Sequence, residues 1–216
     1  EGSTALGAIG VADLIAAVGG IVSYGFSVAT AALLSRKHGE GDREGVCQVA
    51  WQSVLLLLAI SVVFGVLGLF GAEFLMRDVA GAKGDVARQG VGFLRVMLGG
   101  SVTVFLVLHL LTVQRALGSS RVPVALLIAG NVVNLILAVI LVYGSGPAPD
   151  AFAWGPRIAG ALGIPRLGLL GAAWATVISR VLVLLPMFYV CQRRFDLFTP
   201  SSRRGRASSR CAARAS

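Results

Sequence analysis

The chain has 216 residues, of which 56% are hydrophobic and 13% charged, with a mean hydropathy of +0.83; a soluble domain would carry about twice that charged fraction. This excludes a water-soluble globular protein, and short charged blocks between long apolar runs point to an all-α polytopic membrane protein rather than the ten-residue alternation of a β-barrel. The formal charge of +9 does not argue for nucleic acid, because seven arginines lie in the final 24 residues, where a basic tail beside a membrane helix reads as a cytoplasmic anchor.

Cys47, Cys191 and Cys211 are odd in number and far apart, so neither a disulfide framework nor zinc-ligand spacing emerges. The first residue is Glu and no basic region precedes the first apolar run. No signal peptide is read, and the amino end of the protein is expected to lie further upstream.

The first span is predicted at about 14–35, with Gly25 and Ala29 as a small-xxx-small pair suited to close helix contact. The polar block Arg36 to Gly45 ends it. That block is glycine-rich but lacks the Gly-Lys-Ser/Thr of a phosphate loop. The second span, about 47–72, carries a narrow stripe of Gly65, Gly68 and Gly71 that packing explains. A polar loop from Arg77 to Gln89 leads to the third span, about 90–114, which contains Arg95 and His109. Arg95 is close enough to the start to reach the interface. His109 has no second His, Cys or carboxylate nearby in sequence and is not read as a metal ligand.

The fourth span, about 122–143, has no charged residue, and its only strongly polar side chains are Asn131 and Asn134. Ser119 or Ser120 is expected to cap it, with Pro123 in the first turn. At i, i+3 spacing the two amides share a face near mid-bilayer. There they must find partners, so that face points at other helices or at a water-filled cavity. A Gly/Pro/Ala-rich connector with Trp154 as an interfacial anchor follows. The fifth span, about 167–192, places Gly171, Ala175 and Ser179 on one face and Arg180 near its middle. An Arg at that depth costs roughly 2.5 to 3.5 kcal/mol to insert, so it must face the bundle interior or water. Residues 193–216, rich in Arg, Ser and Ala, are predicted to be a disordered basic tail. Twelve basic residues fall in the 36–43 and 115–121 loops and the tail, against five in the opposite loops, which places the tail in the cytoplasm.

Three segments together resemble one family, the multidrug and toxic compound extrusion (MATE) transporters. They are Ala5-Leu-Gly-Ala-Ile-Gly with Leu33-Leu-Ser-Arg-Lys-His-Gly-Glu-Gly-Asp; Phe93-Leu-Arg-Val with Gln114-Arg-Ala-Leu-Gly-Ser-Ser-Arg-Val-Pro and Asn131-Val-Val-Asn-Leu-Ile-Leu; and Gly168-Leu-Leu-Gly-Ala-Ala-Trp-Ala-Thr-Val-Ile-Ser-Arg. The resemblance covers about residues 4–192. It implies five transmembrane helices, the second to sixth, of a six-helix lobe, in a two-lobe antiporter that exports amphipathic, often cationic drugs. Its implied partners are the lipid bilayer, a drug-like small molecule, and a second lobe in the same chain or from a homodimer. The coupling cation it implies is sodium or a proton, with no other cofactor, and the implied location is the plasma membrane, the inner membrane of a bacterium. Where family members often carry an acidic residue one turn after the position of Asn134, this chain has Ala138. No Asp or Glu is read deep in any span, so the coupling site is not located.

The resemblance makes Asn131 and Asn134 cavity-lining residues on the substrate or ion pathway. The alternative is an interhelical hydrogen bond that only packs helices. Arg180 stands between an internal structural contact and a place on that pathway. A lipid-linked oligosaccharide flippase of the same superfamily, or a non-transporting truncated half, are the competing functions. No carboxylate pair, nucleophile with a neighbouring base, or metal cluster argues for an enzyme.

Overall fold

The computed structural model describes residues 2–195 and 197, with side chains from residue 7 onward. It is helical throughout: α1 (Gly2–Gly39), α2 (Arg43–Phe74), α3 (Gly84–Gly99), α4 (Ser101–Ala116), α5 (Arg121–Tyr143), α6 (Trp154–Ala161) and α7 (Leu169–Phe195). Among the described residues four helices, α1, α2, α5 and α7, are long and apolar enough to cross a membrane, and α3 with α4, bent by 47° at their junction, counts as a fifth when the pair is taken as one span. Phe70 is 82% exposed, Leu14 74% and Ile21 71%. Such an apolar exterior is stable against hydrocarbon and not against water.

The turns follow local chemistry. Between α1 and α2, Gly41 takes φ +74°, and the Asp42 carboxylate caps α2 by accepting from the Gly45 N–H at 2.8 Å while pairing with Lys37 at 2.9 Å. At the end of α2 the register slips into a π turn, Leu75–Val79, in which the Ala80 N–H donates to the Leu75 carbonyl. The end of α4 is a Schellman motif. Gly118 sits at φ +81°, its N–H donates to the Arg115 carbonyl, and the Ser119 N–H donates to the Gln114 carbonyl at 2.8 Å. That closure aims the chain into α5.

Several expectations are revised. The third span is two helices, because Gly99-Gly100-Ser101 interrupts the apolar run and lets the axis bend. Neither Ser119 nor Ser120 caps α5: Ser120 holds the N-cap position with no side-chain bond, and Ser119 Oγ accepts from Arg194 Nη1 at 3.4 Å. Gly25 and Ala29 lie on an exposed face, and a Cβ at Gly25 would meet nothing within 4 Å. The buried face of α1 carries Gly19, Ser23, Ser27 and Thr30 instead. Asp13 lies three turns inside α1, whereas the first span was read to begin after it. The connector contains α6, which lays Gly155 against Val139 and buries Ala159 while Trp154, Ile158 and Leu162 stay exposed. Arg193 and Arg194 belong to α7, with Arg193 over the Tyr189 ring at 5.4 Å. Phe195 also belongs to α7 and Leu197 is buried in the apolar core, against the expectation of disorder; the other residues of the expected tail, Cys211 included, lie outside the described residues. Cys47 and Cys191 are buried and in no disulfide.

Two apolar clusters sit near opposite ends of α1. One gathers Leu34, Val54, Leu110 and Met187; the other gathers Ala12, Met76, Leu94 and Leu98. Between them the helices are joined in two distinct ways. His109 of α4 is fully buried between α1 and α2, with Nδ1 3.1 Å from Ser27 Oγ and Nε2 2.9 Å from Ser53 Oγ, and its ring lies against Phe26. Ser101 Oγ donates to the Ser61 carbonyl at 2.9 Å and ties α4 to α2 a second time. By contrast, α5 and α7 meet by close backbone approach. Gly130 accommodates Val183, and a Cβ on Gly171 would sit 2.5 Å from the Leu141 carbonyl oxygen. The face of Gly171, Ala175 and Ser179 is buried, as the spacing predicts.

Candidate functional site: a cavity between three helices

A cavity of about 230 Å³ opens between α4, α5 and α7. Val104, Val107 and Leu108 of α4 and Leu127 of α5 supply apolar wall; Asn131 and Asn134 come from α5, and Thr176, Ser179 and Arg180 from α7. All three residues singled out from the sequence therefore line one space. Asn131 and Asn134 reach it because i, i+3 spacing keeps them on the face of α5 that also carries Gly130 and Leu127. Arg180 reaches it one turn after Thr176 on α7.

The polar groups facing the cavity are only partly used. Thr176 Oγ1 donates to the Ala172 carbonyl at 2.9 Å and Ser179 Oγ to the Thr176 carbonyl at 2.9 Å, so both hydroxyl hydrogens return to their own helix. Asn134 Oδ1 and Arg180 Nη1 are buried without a hydrogen-bond partner. Leaving such groups unpaired costs about 1–3 kcal/mol each, more where a charge is involved. The Asn134 carbonyl oxygen makes no interhelical hydrogen bond. No carboxylate lines the cavity among the described residues. Asp13 of α1 forms no ion pair with Arg180 among the described residues. Arg95 is exposed and lies outside the cavity. Among the described residues no three His, Cys, Asp or Glu side chains gather where they could hold a metal ion.

Thr176 escaped the sequence reading, although its position one turn before Arg180 was the available signal. The His109 cluster escaped it entirely. Its partners are 82 and 56 residues away in the chain, beyond any local pattern.

Helix number, the bent crossing and the buried polar face between α4, α5 and α7 define a multi-pass helical membrane protein with an internal cavity. The MatE family model matches residues 2–140, and the chain belongs to that family. It is 27% identical over 201 residues to the probable multidrug resistance protein YpnP of Bacillus subtilis (strain 168), covering 92% of this chain and 40% of that protein. It is 23% identical over 190 residues to the probable multidrug resistance protein NorM of Thermotoga maritima, covering 88% and 37%. Among solved structures, the outward-facing conformation of a multidrug resistance MATE family transporter of the MOP superfamily superposes with a TM-score of 0.71 at 25% identity, over 90% of this chain and 40% of that one. The chain thus spans about two fifths of the length of the relatives it matches.

Proposed function

We propose that this chain forms one lobe of a secondary active exporter that moves amphipathic, drug-like molecules, cationic ones included, out of a bacterial cell across the inner membrane, in exchange for inward sodium or protons. A second lobe, in the same polypeptide or from another copy, completes the pathway, and the two lobes alternate access between them. The basic end of α7 and the residues after it face the cytoplasm. Support comes from the multidrug-resistance names of the relatives and from the membership in their family.

The observation that carries the reading is the cavity itself. It sits deep in a membrane bundle, has apolar walls from three helices, and presents the unpaired Asn134 carbonyl oxygen and Arg180 N–H. A space of this kind binds an amphipath by its apolar body and orients it by few polar groups. The same lack of partners makes Asn134 the residue to change. Replacing it with Ala in the complete transporter is expected to lower dye extrusion from cells several-fold while the amount of folded protein stays the same. Undiminished extrusion at equal protein level would remove Asn134 from the pathway.

A further inference from the structure

The connector between α5 and α7 is held at one level of the membrane. The Leu167 N–H donates to the Leu141 carbonyl and the Gly168 N–H to the Val142 carbonyl, so α7 begins where α5 ends. The Tyr143 and Phe152 rings stack, with centroids 6.4 Å apart, and fasten the chain before α6 to the same place. Helix α6 has 8 residues, about 12 Å of axis, and cannot cross a hydrocarbon core about 30 Å thick. Its Gly155 lies against Val139, one turn before the last residue of α5. That turn is about 5–6 Å of helix, which matches the depth of about 5–10 Å at which an amphipathic helix rests between headgroups and acyl chains.

The sides of α6 are distinct. Gly155 and Ala159 are buried. Next to them Trp154, Ile158 and Leu162, at i, i+4 and i+8, form an exposed apolar stripe. Arg157 is exposed at the border of that stripe, and Gly160 is exposed on the side nearly opposite Ile158. On α5, Val139 follows Val132, Leu135 and Ile136 at i+7, i+4 and i+3, so α6 sits on the exposed apolar column of that helix. This column is turned about 140° around the helix from Asn134 and its cavity.

We infer that α6 is an interfacial helix: Trp154, Ile158 and Leu162 enter the acyl layer of the leaflet at that end of the bundle, and Arg157 binds the phosphate of an anionic phospholipid. An Arg at the edge of an apolar stripe lays its stem along the stripe and carries its charge to the headgroups. In the connector 144–166, Arg157 and Arg166 stand against one carboxylate, Asp150, which leaves a positive balance facing the membrane surface. A lipid suits the stripe better than a protein does, because three part-exposed side chains fall far short of the about 800 Å² per partner of a stable protein interface. This role for α6 does not depend on which molecules the lobe exports.

The test is photocrosslinking in the complete transporter, with its other lobe present, in nanodiscs of equal parts phosphatidylglycerol and phosphatidylcholine. Ile158→p-benzoylphenylalanine puts a reactive ketone on the stripe. Gly160→p-benzoylphenylalanine puts it on the other side, where a Cβ meets nothing within 4 Å. Both positions are exposed, so the probe displaces no packed side chain at either. Mass spectrometry of the irradiated protein should find phospholipid adducts several-fold more abundant at position 158 than at 160. Among them phosphatidylglycerol should exceed phosphatidylcholine by about fivefold, the effect of one cation near an anionic surface. Arg157→Gln should remove most of that excess and leave the total unchanged. Crosslinks from position 158 to the second lobe or to another copy in place of lipid overturn the assignment, as does equal lipid capture at 158 and 160. Equal capture of the two lipids, or an excess that survives Arg157→Gln, overturns the phosphate contact.

Discussion

The two interfaces that α4 makes differ in how they treat polar atoms. Toward α1 and α2, His109 occupies both ring nitrogens with Ser27 and Ser53, and Ser101 reaches the Ser61 carbonyl; Ser23 Oγ is the exception without a partner. Toward α5 and α7, the Asn134 carbonyl oxygen and Arg180 Nη1 are both buried with nothing to bond. Inside a bilayer no water compensates for such omissions. One interface is finished by the chain itself and serves as frame. The other keeps polar capacity in reserve, and that reserve is where a ligand has something to gain.

The largest test of this contrast is His109→Ala. Interhelical hydrogen bonds in membranes average only about 0.6 kcal/mol each, so most of the loss comes from the void left by a fully buried ring. The expected destabilisation is about 3 kcal/mol, read as a lower thermal midpoint in detergent. A midpoint within experimental error of wild type would mean that the serine–histidine junction does not hold the frame. Gly171→Val comes next. It drives a branched side chain into the Leu141 carbonyl, forces α5 away from α7, and should cost about 2 kcal/mol; retained stability would show that the cavity wall tolerates separation. Asn134→Ala, the variant that should cut dye extrusion, is expected to leave the midpoint within about 0.5 kcal/mol, because the buried carbonyl oxygen of the amide it removes bonds to nothing. A large stability loss there would move Asn134 from reserve to frame.

The smallest effect belongs to pH. The Gly45 N–H and the Lys37 ammonium hold the Asp42 carboxyl below its ordinary value of 3.8. A carboxyl lowered in the folded state adds stability that is fully present above the ordinary value and is lost as pH falls through the lowered one. The wild-type midpoint should therefore fall more steeply below pH 4 than that of Asp42→Asn, which keeps an oxygen for the cap without the charge. Parallel acid profiles for the two chains would show that this turn contributes no acid sensitivity.

What could be read from the residues alone follows from what a local pattern carries. Length and lack of charge revealed the crossings, and i, i+3 spacing put Asn131 and Asn134 together. The depth of Arg180 in an uncharged run marked it for the interior. A small-residue pair, however, does not say which face a neighbour will take. Gly25 and Ala29 satisfied the pattern, yet α1 packs through Gly19 and its serines, because His109, Phe64 and Phe105 approach from that side. The break at Gly100 was present as a Gly-Gly-Ser triplet inside a run whose hydropathy alone reads as unbroken. The first span reads from about residue 14 because hydropathy falls off where charge begins, although α1 continues back through Asp13.

The serine bonds also bear on how the chain enters the membrane during synthesis. Ser27 Oγ donates to the Ser23 carbonyl at 2.8 Å and Ser53 Oγ to the Ala50 carbonyl at 2.9 Å, each within its own helix. Both helices can thus pass from the translocon into lipid with those hydroxyl hydrogens already satisfied. His109 has no such local refuge, but it emerges after α1 and α2 are made. A neutral imidazole donates from one nitrogen and accepts at the other, so docking α4 requires one serine to swing its hydrogen from backbone to ring. Assembly order and hydrogen-bond supply run in the same direction along the chain, with the costliest side chain delivered last to partners already in place.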